Sequence, residues 1–194
     1  QPGLVVRKVG HGTANLRRGL AMTRGQAVEA IEVGIAVVEE ELDKGLDIVA
    51  TGDMGIGNTT PSAAIAATVT DLPVARVTGR GTGVDDRGLA LKIAVIEEAL
   101  ALHRPDPTDG LDVLAKVGGF EIGGIAGIVL GAAARRVPVV VDGFISTAGA
   151  AIAALLAPQA KAYLISGHRS VEAGHQALLD FLGLVPLVDL DLRL

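Results

Sequence analysis

The feature that most constrains the fold is the glycine-rich segment at residues 52–60, which stands between an apolar stretch and a helix-forming stretch. The apolar character of residues 46–51 predicts a buried strand. Pro61 fits the first position of a helix, where its missing N–H is not needed, and the preceding Asn and Thr side chains can cap that helix. Residues 52–60 are therefore predicted to form a strand-to-helix loop of the kind that binds phosphate groups.

The same alternation of strands and helices continues along the chain. Helix 23–44 begins with a capping-box pattern at Thr23 and Gln26. This spacing predicts βαβ units, and hence an α/β fold with a mostly parallel, doubly wound, Rossmann-like sheet and helices on both faces. Strands are predicted at 46–51, 74–78, 137–141, 162–166 and 187–192, and helices at 23–44, from 58–60 onward, and at 85–103, 111–116, 122–136, 146–156 and 171–182.

Ligands of parallel sheets bind beyond the carboxyl ends of the strands. Four glycine-containing loops are predicted to share that edge, at 52–60, 79–83, 142–147 and 166–172. Each loop also carries hydrogen-bonding or charged side chains. We expect the binding site to be formed by these loops.

Composition excludes several classes of function. A net charge of −5 and an aromatic content of 2% argue against a nucleic-acid surface, which needs clustered cations and stacking platforms. Without cysteine, the chain has no disulfide, no thiolate metal site and no thiol catalysis. The apolar stretches are short and broken by glycine, so we expect no membrane segment and a cytoplasmic protein. Because the chain starts at Gln1 and stops after an apolar run, we expect the central fragment of a longer chain.

Loop 52–60 resembles two phosphate-binding motifs without matching either. It lacks the lysine of the P-loop after Gly57, which disfavours a triphosphate. It has Thr60 where the dinucleotide fingerprint has its third glycine, which weakens an NAD site. A single phosphate fits better, although an ordinary tight turn with a good N-cap would give the same pattern.

Other polar residues allow both a functional and a structural interpretation. Lys92 could supply a positive charge to the phosphate or lie on a solvated helix face. Asp53 and Asp142 could bind ribose hydroxyls or stabilise positive charge on a sugar ring, or simply cap the next helix. His168, Glu172 and His175 have the spacing of metal ligands, but an N-cap role for Ser170, with Glu172 complementing the helix dipole, is the better interpretation. The acids at 189 and 191 are interpreted as ordinary strand residues rather than a metal-binding pair.

Six motifs recur together in the order of one known family. Together they resemble the nicotinate-nucleotide:dimethylbenzimidazole phosphoribosyltransferase (CobT) family over essentially the whole chain. The motifs are HGT at 11–13, AMT at 21–23, GDMGIGNTT at 52–60, GGFEI at 118–122, VVDGF at 140–144 and SGHRS at 166–170.

The resemblance implies a reaction and a set of site residues. The family moves phosphoribose from nicotinate mononucleotide to 5,6-dimethylbenzimidazole, giving α-ribazole 5′-phosphate for the lower ligand of cobalamin. It implies a homodimer without metal or organic cofactor. It also implies that Asp142 and Gly143 line the nucleotide pocket and that Asp53, where the family often has Glu, lies near the reacting centre. The phosphate would be held by Gly55, Gly57, Asn58, Thr59 and Thr60, with Gly81, Lys92 and Ser170.

The resemblance also implies that part of the catalytic apparatus lies outside these residues. The family's general-base glutamate lies in a Gly-Glu-Gly motif that we expect beyond Leu194, and its amino-terminal part is expected ahead of Gln1. Residues 1–194 are accordingly interpreted as the nucleotide-binding α/β core. The alternatives are a non-catalytic nucleotide-binding module of the same fold and a scaffold domain that binds no nucleotide.

Overall fold

A computed structural model describes residues 3–192 as alternating helices and short strands. A 3₁₀ helix, Pro158–Tyr163, precedes the third strand. The α-helices are α1 (Arg24–Leu42), α2 (Thr59–Thr70), α3 (Val74–Val77), α4 (Asp86–His103), α5 (Gly110–Val117), α6 (Phe120–Ala134), α7 (Phe144–Leu156) and α8 (Ala173–Leu182). The strands are β1 (Val49–Ala50), β2 (Val139–Val141), β3 (Leu164–Ser166), β4 (His168–Ser170) and β5 (Val188–Leu192).

The strands form two small parallel sheets. The first has the order β1-β2-β3, with Val49 opposite Val139 and Val139 opposite Leu164, and the second pairs β4 with β5. The predicted parallel α/β class is confirmed. Because β1, β2 and β3 run in the same direction, the segments that follow them emerge at one edge, which is where the sequence places loops 52–60 and 142–147.

Most of the predicted elements are present, with small shifts at their ends. The helix predicted at 122–136, for example, is observed as Phe120–Ala134. The capping box of α1 is confirmed. The Thr23 hydroxyl accepts the N–H of Gln26 at 3.1 Å, and the Gln26 side chain accepts the N–H of Thr23 at 3.0 Å.

The strand predicted at 74–78 is wrong, because these residues form the single helical turn α3. Val74 and Val77 are both buried, and a spacing of three places them on one side of a helical turn that packs against α8. The Thr78 hydroxyl closes the turn by donating to the Val74 carbonyl at 2.7 Å. Tertiary packing thus outweighs the strand propensity of the β-branched side chains. Loop 79–83 therefore follows a helix rather than a strand.

Three further predictions need correction. The predicted buried strand at 46–51 is only the two-residue β1, at the end of the sheet order, with Val49 partly buried and Ala50 exposed. The predicted loop at 166–172 contains β4, which pairs with β5. Ser170 is consequently the last residue of a strand and not the N-cap of α8, a position that Glu172 occupies.

The core consists mainly of helices packed closely through small residues. The most extensive contact joins α1 and α6. A Cβ added at Gly34 would lie only 2.0 Å from the Gly124 carbonyl oxygen, so the two backbones touch where these helices cross. The glycines of α1 and α6 thus allow these two helices to pack in direct backbone contact. Within residues 3–192 no helix has the length and hydropathy to cross a membrane.

Candidate functional site

Loop 52–58 is held in shape by the carboxylate of Asp53. Its Oδ2 accepts the backbone N–H of Gly55 at 2.8 Å and the Nδ2 of Asn58 at 2.7 Å. Gly57 has a φ of +89°, a left-handed conformation that favours glycine. The prediction that the Asn58 side chain caps α2 is wrong, because that side chain turns to Asp53 instead. The negative charge of Asp53 is thereby fixed within the loop.

The start of α2 is joined to α4 and to loop 79–83 by Lys92. Its Nζ donates to the Thr59 hydroxyl at 2.7 Å and to the Gly79 carbonyl at 3.0 Å. Burial lowers the pKa of Lys92, and the charge of Glu172 acts in the opposite direction. A Cβ added at Gly81 would lie 2.8 Å from the Thr59 hydroxyl, so loop 79–83 lies against the same point. The structure therefore brings Thr59, Gly81 and Lys92 together.

Thr60 and Gly57 lie in the same loop region but, among the described residues, are not hydrogen-bonded to Lys92. Thr60 is partly buried at the second position of α2. The first turn of α2 contains no acidic residue. No acidic side chain in that turn therefore offsets the partial positive charge of the helix N-terminus, which favours an anion.

The ring of His168 lies beside Asp142 and Gly143, and Ser170 is close to the same point. The Asp142 Oδ1 lies 3.2 Å from the His168 Nδ1, and a Cβ added at Gly143 would lie 3.7 Å from the His168 ring. The Ser170 Cβ would lie 3.9 Å from that same position. Two predicted site loops, 142–147 and 166–172, are thus in contact.

Glu172 lies between the contacts of Ser170 and those of Lys92. One of its carboxylate oxygens, Oε2, is buried and has no hydrogen-bond partner among the described residues. A Cβ added at Gly79 would lie 2.2 Å from it. The backbone N–H of Glu172 donates to the Ser170 hydroxyl at 3.3 Å. The unpartnered oxygen is a free acceptor between loop 79–83 and β4.

Glu121 lies near Asp53 at the candidate site, and sequence reasoning did not predict this position. Burial raises the pKa of its carboxyl, and the charge of Asp53 raises it further, while a hydrogen bond with Asn58 lowers it. The carboxyl group of Glu121 is thus close enough to loop 52–58 to interact with Asp53 and Asn58. The sequence signal is the GGFEI motif at 118–122, although the proximity to Asp53 required the three-dimensional structure.

The metal interpretation of His168, Glu172 and His175 has no support in the geometry. The Nδ1 of His175 accepts the backbone N–H of Ser170 at 2.9 Å, and its Nε2 lies 3.0 Å from the Thr147 hydroxyl, so both ring nitrogens are engaged. No group of three His, Cys, Asp or Glu side chains within residues 3–192 is arranged to hold a metal ion. Asp189 lies 3.4 Å from Arg169 and forms an ion pair with it.

Three of the six sequence motifs meet at one cavity. A cavity of about 400 Å³ is bordered by residues of the HGT and AMT motifs and by Phe120 of GGFEI. A second cavity, of about 410 Å³, borders Ser170, Glu172 and Asp189. The motifs that are separate in sequence are therefore grouped in space.

Comparison with known proteins gives a consistent set of relatives. A family model described as "Phosphoribosyltransferase" matches residues 1–194. A Roseiflexus sp. (strain RS-1) protein named "Nicotinate-nucleotide--dimethylbenzimidazole phosphoribosyltransferase" is 66% identical over 193 residues, which cover 100% of this chain and 55% of that protein. A protein of the same name from Geobacter sulfurreducens is 60% identical with the same coverage.

Solved structures agree with these sequence relatives. The crystal structure of CobT from Thermus thermophilus superposes with a TM-score of 0.94 at 47% identity, covering 100% of this chain and 58% of that one. The chain thus spans just over half the length of the relatives that it matches.

Proposed function

Because this chain belongs to the phosphoribosyltransferase family, we propose that it supplies the nucleotide-binding core of an enzyme acting on nicotinate mononucleotide and 5,6-dimethylbenzimidazole. The products are α-ribazole 5′-phosphate and nicotinate, and the pathway is assembly of the lower ligand of cobalamin. The observation that carries the proposal is the half-buried ammonium of Lys92, which donates to the Thr59 hydroxyl at the N-terminus of α2.

The phosphate of the donor would bind at this point for electrostatic reasons. An ammonium group has three N–H donors, and the Thr59 hydroxyl and Gly79 carbonyl account for two of them. Partial burial removes water from the charged form of Lys92, which lowers its pKa, and a phosphate would replace the missing water. The helix N-terminus adds backbone donors. Gly55, Gly57, Asn58, Thr59 and Thr60 are the proposed phosphate contacts in loop 52–60, with Gly81 and Ser170 beside them.

The carboxylates near the loops are proposed to interact with the ribose of the nucleotide. As nicotinate leaves, positive charge develops on the ribose ring, and a fixed carboxylate stabilises that charge. Asp53 is fixed by two hydrogen bonds and is our candidate for this role. Asp142 and Gly143 are proposed to line the ribose side of the nucleotide pocket.

The bond changes require a base that we place outside residues 1–194. One benzimidazole nitrogen attacks the anomeric carbon with inversion, while the bond from that carbon to the nicotinate nitrogen breaks and its electron pair stays on nicotinate. The proton on the other benzimidazole nitrogen passes to the glutamate expected in a Gly-Glu-Gly motif beyond Leu194. The whole protein is proposed to be a cytoplasmic homodimer that needs no metal or organic cofactor.

Calorimetric titration with nicotinate mononucleotide tests the donor site. Lys92→Ala removes a charge-assisted contact worth about 1.5–3 kcal/mol. We therefore expect the dissociation constant of this variant for nicotinate mononucleotide to rise roughly ten- to a hundredfold. Lys116→Ala is the matched control. Lys116 is also a helical lysine, but it contacts Asp112 at 2.8 Å and the Arg104 carbonyl at 3.2 Å. Equal effects of the two substitutions would remove Lys92 from the site.

Two outcomes would favour the alternatives. A protein that binds the mononucleotide tightly but forms no α-ribazole phosphate at full length would be a non-catalytic module. A protein without any mononucleotide binding would be a scaffold. A gene that lacks Gly-Glu-Gly after Leu194 would count heavily against the enzyme.

A further inference from the structure

The imidazole of His175 joins the two loops that carry Gly143 and Ser170. The ring is fully buried on α8, where its Nδ1 meets the Ser170 N–H at 2.9 Å and its Nε2 meets the Thr147 hydroxyl at 3.0 Å. The Thr147 hydroxyl in turn donates to the Gly143 carbonyl at 2.8 Å. A continuous path of three hydrogen bonds therefore runs from the end of β4, through α8, to the start of α7.

The direction of this path determines the protonation state of the ring. A peptide N–H can only donate, so the Nδ1 that faces Ser170 must be an unprotonated acceptor. The proton of the neutral ring is then on Nε2 and points to the Thr147 oxygen, whose own proton goes to Gly143. A cationic ring would place an N–H against the Ser170 N–H and break the path. Burial lowers the pKa of His175 to about 4, in agreement with a neutral ring.

The neutral ring has no remaining group for chemistry. Both nitrogens are used, and no part of the side chain is exposed to a ligand. His175 is therefore neither a metal ligand nor an acid, a base or a phosphate-binding cation. What it can do is hold the ends of β4 and α7 at a fixed separation.

The packing of α8 is arranged to bring the ring to this point. A Cβ added at Gly174 would lie 2.6 Å from the Phe144 ring and 2.6 Å from the Val77 carbonyl oxygen, so only glycine lets α8 approach α7 this closely. The neighbouring His168 ring lies 6.2 Å away between centroids. The titratable and charged groups that face His175 are His168, Asp142 and Arg169.

We propose that His175 is a positioning residue that, as the neutral Nε2–H tautomer, holds Ser170 and Gly143 in the arrangement that binds the nucleotide. The inference rests on the proposed function, since these two residues are proposed nucleotide contacts. It adds a residue that touches no substrate but sets the geometry of two that do.

The first test reads the tautomer directly and needs no nucleotide. In the ¹⁵N-histidine-labelled protein, NMR should show Nδ1 of His175 unprotonated and Nε2 protonated between about pH 5.5 and 8. His103, whose Nε2 lies 2.7 Å from the Leu16 carbonyl, is the internal comparison. A proton on Nδ1 of His175 would overturn the proposal.

The second test separates positioning from packing by partial rescue. His175→Asn keeps an acceptor near the Nδ1 position, whereas His175→Phe fills a similar volume with no polar atom. We expect the dissociation constant for nicotinate mononucleotide to rise at least tenfold in the Phe variant and clearly less in the Asn variant. His103→Asn, the control, should bind like the parent.

Each outcome of this comparison decides the proposal. If the folded Asn and Phe variants bind equally, His175 acts only through packing and the proposal fails. If the Phe variant does not fold, Thr147→Val replaces the hydroxyl by a methyl group of similar size and should still weaken binding, and normal binding there overturns the proposal. If the parent protein binds no mononucleotide, the proposed function fails, while the tautomer measurement still decides the arrangement of the ring.

Discussion

Gly127 on α6 is the position where a single methyl group should most clearly disturb the helix packing. A Cβ added there would lie 1.9 Å from the Ile31 carbonyl oxygen and 3.0 Å from the Cα of Gly34, both on α1. Three residues earlier on the same helix, a Cβ at Gly124 would have only the Ala30 oxygen within reach, at 4.0 Å. The substitutions Gly127→Ala and Gly124→Ala therefore add the same atom to the same helix in opposite environments.

The expected magnitudes follow from these distances. At Gly127 the helices must separate by roughly 1.5 Å to restore an ordinary contact, and the atoms met are backbone atoms that cannot rotate away. Such overpacking costs about 1–3 kcal/mol, and we place this case at the upper end. Replacing a helical glycine by alanine stabilises the helix by about 1 kcal/mol, which offsets part of this cost. We therefore expect Gly127→Ala to lower the free energy of unfolding by about 2 kcal/mol and Gly124→Ala to raise it by up to about 1 kcal/mol.

Urea unfolding followed by circular dichroism measures both changes. For a chain of this size, about 2 kcal/mol corresponds to a fall in melting temperature of roughly 4–8 °C. The reasoning predicts opposite signs, so equal shifts in the two variants would refute it. A Gly127→Ala variant as stable as the parent would show that α1 and α6 do not approach closely.

Three further predictions concern the site. The pKa of His175 is lowered from 6.5 to about 4, so the unfolded state takes up a proton at a higher pH than the folded state does. About 3 kcal/mol of unfolding free energy should therefore be lost as pH falls from 6.5 to 4. A His175→Asn variant should lack this part of the pH dependence when stability is measured by urea unfolding. Asp53→Asn removes a charge that raises the pKa of Glu121, so that pKa should fall in a ¹³C carboxyl NMR titration, and an unchanged value would place the two groups apart. The isolated 194-residue chain should form α-ribazole phosphate very slowly in a chromatographic assay even if it binds the donor, and full activity would contradict a base beyond Leu194.

The parts of the fold that the sequence predicts well are those decided by neighbouring residues. The capping box at Thr23 and Gln26 involves residues three apart, and its hydrogen bonds are present as predicted. The parallel class follows from the alternation of strands and helices. The strand prediction at 74–78 is wrong because the state of this segment depends on packing against α8, about a hundred residues away along the chain.

The site shows the same division between local and distant information. Glycine and hydroxyl residues at 52–60 identify the loop, and the structure places Lys92 and Gly81 at its helix start. The pairing of Asp53 with Asn58 also lies within one loop, yet it replaces the helix cap that local rules favour. The nearness of Glu121 to Asp53 depends on how α6 packs, which residue spacing does not determine.

The short strands explain why side chains carry so much of the site's geometry. In the sheet that directs the loops, β1 has two residues and β2 and β3 have three each, so few ladder hydrogen bonds fix the strand ends. The loops are instead held by bonds from side chains on other elements, from Lys92 to the Gly79 carbonyl and from His175 to Ser170 and Thr147. A buried polar group left without its partner is costly, so these bonds favour one arrangement of the loops over others. It follows that a substitution at His175, which touches no ligand, should alter nucleotide binding through the loops that its ring holds.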